Sequence, residues 1–236
     1  MLAKPFAVPQ TLQTKTYYDQ SNILDAEMDR LFVKSDFKNL KVCGQFNKGF
    51  IIAQLQDSDD LFILDQHASD EKFNFETLSR TTQVQGQDLV VPLKIELGVT
   101  EALAVEQHRD IFEFNGFRVT KSGDDWVLKS LPISKNTVFT ERDFYELVEK
   151  VKDNLDTATH GKEQGMIHKQ QFRPRKVYHM LASRACRKSI MIGDALDHKQ
   201  MCTVIQNLTT LQSPWNCPHG RPTMRHLGTV STTTSH

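Results

Sequence analysis

The sequence predicts an α+β fold, on three observations. Residues 41–64 carry the apolar alternation of paired strands, interrupted by a turn-forming run. Apolar residues recur at three- and four-residue steps over 141–154, the mark of an amphipathic helix. Residues 100–154 as a whole read as helix, hairpin and helix, the mixed order of an α+β domain.

Taken in order, residues 1–20 hold Pro5 and Pro9 among Gln and Thr and read as a linker or arm. Over 22–40 the spacing of Ile23, Leu24, Met28, Leu31, Phe32 and Phe37 is partly helical. Strands are expected at Lys41–Phe46, Phe50–Leu55 and Leu61–Asp65, with the polar run 56–60 turning the chain before the third. A helix over 66–80 places Phe73, Phe75 and Leu78 among polar positions, and a polar loop over 79–87 leads to a strand at Asp88–Leu97. Leu103, Val105, Ile111 and Phe112 predict a helix over 100–114. Gly116–Thr120 and Trp126–Ser130 form a hairpin about Lys121-Ser122-Gly123-Asp124-Asp125. After the helix at 141–154, residues 156–174 are polar and read as an exposed connection. Helices follow at Lys176–Ile192 and Lys199–Leu211, then a loop at Ser213–Pro222 and a frayed tail over 228–236.

A chain of 236 residues can bury a real core as one large domain or two small ones. Its 29 basic and 29 acidic residues balance, so contact with nucleic acid must come from local clusters. No long apolar run or signal peptide is apparent, which predicts neither membrane insertion nor secretion. Cysteines 43, 186, 202 and 217 lie too far apart for a secreted disulfide framework, and intracellular metal binding fits them better. Cys43 and Cys202 read as packing residues.

The chemistry concentrates in three short stretches. After the apolar run Leu61–Leu64 comes Asp65, then His67 and Glu71, which share one helical face at i and i+4. Far downstream stand Cys186, in Ala185-Cys186-Arg187, and the run Cys217-Pro218-His219-Gly220-Arg221-Pro222. Imidazole, thiolate and carboxylate are the donors a borderline divalent ion such as zinc prefers. Singly, each has a plainer reading: a solvated helix pair, a core thiol, a loop. Asp65 also suits the N-cap of the following helix, and Asp70 and Glu76 read as water-facing. Basic residues crowd the same stretches: Arg173, Arg175, Lys176, Arg184, Arg187, Lys188, Arg221 and Arg225. Arg187 and Arg221 lie within the motifs and are the phosphate candidates, while the others read as a solvated face.

Together these stretches resemble the C-terminal endonuclease domain of the MutL mismatch-repair family. Asp65–Glu76 matches its D-Q-H-A-x-x-E-x-x-x-x-E pattern, Ala185-Cys186-Arg187 its A-C-R motif, and Cys217–Pro222 its C-P-H-G-R-P motif. Gly44–Phe50 is similar to the run that leads into a strand of the same domain. The chain most resembles the eukaryotic PMS-type subunit, and nothing in it corresponds to the family's ATPase half. The resemblance implies a discontinuous fold: a dimerisation and catalytic subdomain from 21–97 and 176–227, with a smaller outer subdomain, 98–175, inserted. It implies a metal-dependent nuclease that nicks duplex DNA in the nucleus. His67, Glu71, Cys186, Cys217 and His219 would be ligands, and Asp65 and Glu71 catalytic. Zinc would be bound at the site, and manganese or magnesium would serve turnover. Glu71 can bridge two ions about 3.5–4 Å apart, the spacing at which attacking and leaving oxygens are both stabilised. The implied partners are an MLH-type subunit and a sliding clamp. Gln87, Val90 and Pro92 resemble the family's Q-x-x-[L/I]-x-P clamp contact, although the segment also reads as an edge strand. Ile190, Met191, Ile192, Val204, Ile205 and Leu208 cluster near the site; some must fill the core, and the rest would leave surface for a partner. The rival reading is a dimerisation module with a closed structural site made by His67, Cys186, Cys217 and His219. Such a site does not require Asp65 or Glu71, whereas an open one does.

Overall fold

The computed structural model describes residues 32–160 and 169–230. The arm expected over 1–20, the stretch before Phe32, part of the 156–174 connection and the tail from 231 lie outside the described residues.

The fold is α+β, with two antiparallel sheets and six α-helices among the described residues. A 3-10 turn at Lys34–Asn39 leads into β1 (Leu40–Phe46), β2 (Phe50–Leu55) and β3 (Asp60–Asp65), a meander whose inner face buries Val42, Ile51, Ala53, Phe62 and Leu64. Asn47 and Lys48 take left-handed backbone angles to close the first turn in three residues. α1 (Gln66–Thr81) starts where β3 stops, because the Asp65 carboxylate accepts the Ala68 N–H at 2.8 Å. That cap fixes which face of α1 looks inward, and so aims His67 and Glu71.

The chain then builds a second sheet, ordered β4-β6-β5, from β4 (Gly86–Ile95), β5 (Arg118–Ser122) and β6 (Asp125–Pro132). α2 (Val99–Gln107), α3 (Arg109–Phe114) and α4 (Glu141–His160) share a core with it in which Phe112, Phe117, Leu128, Phe144 and Leu147 are fully buried. The helix expected over 100–114 is thus two, broken at His108, whose backbone leaves the helical region. α4 also runs past the predicted end at residue 154.

α5 (Arg175–Lys188) returns to pack on α1 through Phe75, Val177, Leu181, Ala182 and Ala185. It ends before the predicted residue 192, because Ser189 turns extended and its hydroxyl is tied to the Ala185 carbonyl and the Asn74 amide. α6 (His198–Thr209), capped by Asp197, lays Met201, Val204, Ile205 and Leu208 over the first sheet. The chain closes with β7 (Met224–Thr229), which pairs antiparallel with β3 and completes the order β1-β2-β3-β7. This strand escapes the sequence reading. Gly228 and Thr229, assigned there to a frayed tail, pair with Leu61 and Asp60, and the Asp60 carboxylate accepts from the Thr229 hydroxyl at 2.7 Å.

Two further readings need correction. Cys43 is exposed rather than packed, whereas Cys202 packs against the first core. Arg173 is buried rather than part of a solvated face. Its guanidinium donates to the carbonyls of Ser79 and Thr82 and to the Asn115 amide oxygen, and it stacks 4.1 Å from the Phe114 ring centre. Burial pulls its pKa down to about 10, which leaves it charged at neutral pH.

Candidate metal centre

The centre lies where the start of α1, the end of α5 and the Cys217–Arg221 loop meet. His67 and Glu71 are both buried on one face of α1, with His67 Nε2 3.9 Å from a Glu71 oxygen. His67 Nδ1 lies 2.8 Å from the Ile190 carbonyl. A backbone acceptor there takes the Nδ1–H, which leaves the Nε2 lone pair aimed inward. The Ile190 segment is itself held, since its N–H donates to Asp70 and Asn74 bridges Asp70 to Ser189. Cys186, from the last turn of α5, brings its Sγ to 3.6 Å from His67 Nε2.

The loop supplies the other half. Gly220 donates to the Cys217 carbonyl at 2.9 Å, and Cys217 donates to that of Arg221 at 2.8 Å. This tight turn needs a positive φ of 84° at Gly220, which a side chain would strain. Thr223 fastens the loop to the start of α1 by accepting from the Asp65 N–H, and Tyr178 of α5 donates to the Pro218 carbonyl. In consequence His219 Nδ1 sits 2.7 Å from one Glu71 oxygen, and the Arg221 guanidinium donates to the other at 3.2 Å.

The donors form two sets, His67–Glu71–Cys186 and Glu71–Cys217–His219, and within each the donor atoms lie within 4.8 Å of one another. Glu71 belongs to both. The residues fit a borderline divalent ion. Tetrahedral coordination at about 2.0–2.3 Å puts nitrogen and sulfur about 3.6 Å apart, the separation found between His67 and Cys186. The His219–Glu71 contact is of hydrogen-bond length and would open somewhat to admit an ion. Burial pushes the Glu71 carboxyl up, but hydrogen bonds from Cys217 and His219 and the nearby histidine charges outweigh it and hold the group below its ordinary range. Burial, then the Glu71 carboxylate, pushes the Cys217 thiol up.

The remaining candidates fall elsewhere. Asp65 joins neither donor set: it caps α1 and borders a small cleft lined by Arg221, Thr223 and Arg225. Asp70 and Glu76 do not simply face water. Asp70 holds Ile190, and Glu76 accepts the Gln212 N–H at 2.9 Å at the root of the loop. Arg187 is exposed, its guanidinium donating to the Ser183 hydroxyl at 2.6 Å. In β4 the pairing with β6 breaks between Asp88 and Leu93, so the segment carrying Val90 and Pro92 bows out of the sheet. Val90 is fully exposed, and Gln87 and Pro92 are exposed beside it.

Sequence reasoning misses the groups that aim the ligands. Gln66 is buried, donates to the Lys48 and Met191 carbonyls and accepts from Gln45, so it locks the 190–194 segment against the β3–α1 junction. Its place between Asp65 and His67 was the one signal available. Ile190 acts through its carbonyl, which no residue type advertises.

Comparison with known proteins places the chain in a family. The family profile described as the MutL C-terminal dimerisation domain matches residues 43–196. The chain is 45% identical over 212 residues to the DNA mismatch repair protein PMS1 of Arabidopsis thaliana, covering 88% of this chain and 23% of that one. It is 47% identical over 201 residues to the Saccharomyces cerevisiae PMS1 protein, covering 82% and 22%, and 40% identical over 217 residues to the mismatch repair endonuclease PMS2 of Homo sapiens, covering 89% and 23%. The chain thus spans less than a quarter of the length of these curated relatives. Its place among proteins is nonetheless plain: it belongs to the MutL C-terminal dimerisation domain family.

Proposed function

We propose that this chain is the endonuclease region of a eukaryotic, nuclear mismatch-repair protein, and that it nicks duplex DNA as a heterodimer with an MLH-type subunit. The observation that carries this reading is the sharing of Glu71 between two donor sets drawn from three distant parts of the chain. A closed structural site has no use for a carboxylate shared in this way.

His67, Glu71 and Cys186 would hold one divalent ion, and Glu71, Cys217 and His219 a second. Zinc is the expected occupant, with manganese or magnesium in turnover. Bound ions supply positive charge to the attacking and leaving oxygens of a phosphodiester. The chain's own residues do the rest. Ile190 holds the His67 ring, and the paired Glu71–Arg221 side chains place a guanidinium at the rim of the centre. Arg221 is there suited to meet a phosphate oxygen. Asp65, on the cleft lined by Arg221 and Arg225, would take a proton from attacking water. The bowed segment with Gln87, Val90 and Pro92 would dock a sliding clamp, since it offers an exposed aliphatic side chain on extended backbone.

The test is manganese-dependent nicking of supercoiled plasmid by the heterodimer, alongside zinc content of the purified chain. Nicking abolished by Asp65→Asn supports the nuclease. Stoichiometric zinc with no nicking under any divalent metal would instead identify the closed structural module.

A further inference from the structure

We infer that the groove between the outer face of α5 and the Ser134–Thr137 turn is a track for the phosphate backbone of duplex DNA, an inference that rests on the nuclease reading above. The groove has a volume of about 500 Å³. Its walls carry Lys135, Asn136 and Thr137 on one side and His179, Arg184 and Arg187 on the other. Among the described residues no carboxylate lines it. On a chain whose formal charges cancel, such a local excess of cations must be placed by the fold.

Ion pairing decides which of these charges are available. Lys176, also in the groove, is neutralised by Asp143 at 2.9 Å and does not count. Arg187 is steadied by a hydroxyl, which leaves its charge uncompensated. Lys135 and Arg184 are exposed and have no ion-pair partner among the described residues. Met180 is the one apolar lining residue, and it is buried, so the groove offers no pocket for the apolar anchors that a protein partner would bring. Hydroxyl and amide donors among cations suit phosphate oxygens.

Position ties the groove to the metal centre. His179, Ser183 and Arg187 recur at four-residue steps along one stripe of α5, with Arg184 on the flank next to Ser183. Arg187 directly follows Cys186, whose sulfur faces His67. A backbone lying in the groove would therefore leave it beside the proposed ions, and the track would set where along the duplex the cut falls.

The experiment measures binding of a fluorescent 30-base-pair duplex to the 236-residue chain across a salt series, without added manganese. Lys135→Ala with Arg184→Ala should weaken binding about tenfold and make the salt slope shallower by about two, since each lost phosphate contact removes about one unit. Lys121→Ala, on β5 and outside the groove lining, is the single-charge control and should change neither. Zinc content and the circular dichroism spectrum should match wild type in every variant. Equal losses in the control and the double variant, or an unchanged slope in the double variant, would overturn the track. So would groove-dependent binding of a polyglutamate peptide in place of duplex. Because binding is read without turnover, a chain that binds through the groove but never nicks would sink the nuclease reading and leave the track standing.

Discussion

The Glu71 carboxylate has His219 and Arg221 at hydrogen-bond distance, His67 at 3.9 Å and no exposure to solvent. Glu71→Gln keeps the shape but removes the charge that Arg221 and any ions rely on. Bound zinc should fall by at least half, and nicking should drop about a thousandfold, the scale at which lost electrostatic stabilisation is felt in catalysis. Mass spectrometry of the metal content and a plasmid assay check this, and full zinc in the variant would refute the shared role. Asp65 separates differently. Asn caps a helix about as well as Asp, so Asp65→Asn should leave the unfolding midpoint unchanged while nicking is lost. A large drop in the midpoint would mean that Asp65 matters for folding alone. At this scale the sequence reading reaches far, since all five proposed ligands converge in the fold. It fails for Asp70 and Glu76, because whether a helical carboxylate meets water or a distant backbone N–H is decided by what packs against it.

Elements were legible where periodicity was strong and illegible where only pairing defines them. β1 to β3 and the long amphipathic α4 announce themselves through alternation and three-to-four spacing. β7 does not: Met224 is its one buried residue, and it exists because β3 offers an open edge. Arg173 shows a similar limit, since a basic residue beside a proline gives no hint that it pins the end of α1 to α3. Arg173→Ala would take the guanidinium from the part-buried carbonyls of Ser79 and Thr82 and should cost about 3 kcal/mol in denaturant unfolding, by the usual worth of hydrogen bonds to a charged group. Arg173→Lys should recover little of that, because a single ammonium cannot span the same acceptors. A shift under about 0.5 kcal/mol, ordinary for a surface position, would show that the contacts are incidental. The bowed segment of β4 makes a separate claim. Gln87→Ala with Val90→Ala touches no proposed ligand and removes side chains that face solvent, so basal nicking should persist while clamp-stimulated nicking falls. Equal stimulation in variant and wild type would end the clamp assignment.

At the scale of the whole molecule, the question is which apolar surface is left after the cores are filled. Val204, Ile205 and Leu208 are not available to a partner, because α6 spends them on the first sheet. Of the apolar residues singled out in the sequence, Met191 and Ile192 remain, 45% and 64% exposed, and Phe46 joins them at 59%. They are neighbours through the β1–β2 turn: Gly193 donates to the Lys48 carbonyl, and Gly49 lies under the Ile192 side chain. No periodicity marks such a patch, since it is made by a loop crossing a turn and is visible only once both are placed. It also abuts the metal centre, because the Ile190 carbonyl that orients His67 is the residue before Met191. A partner seated there would dry the patch and stiffen the segment that aims a ligand. Met191→Ser with Ile192→Ser should therefore weaken association with the MLH-type domain at least tenfold, since burying two such side chains is worth a few kcal/mol. The melting temperature of the chain alone should stay within a degree or two, because the side chains already face water. Nicking by the heterodimer should fall with association and recover when the partner is raised above the new dissociation constant. Unchanged association would place the interface elsewhere, and nicking lost at saturating partner would assign these residues to the metal centre rather than to assembly.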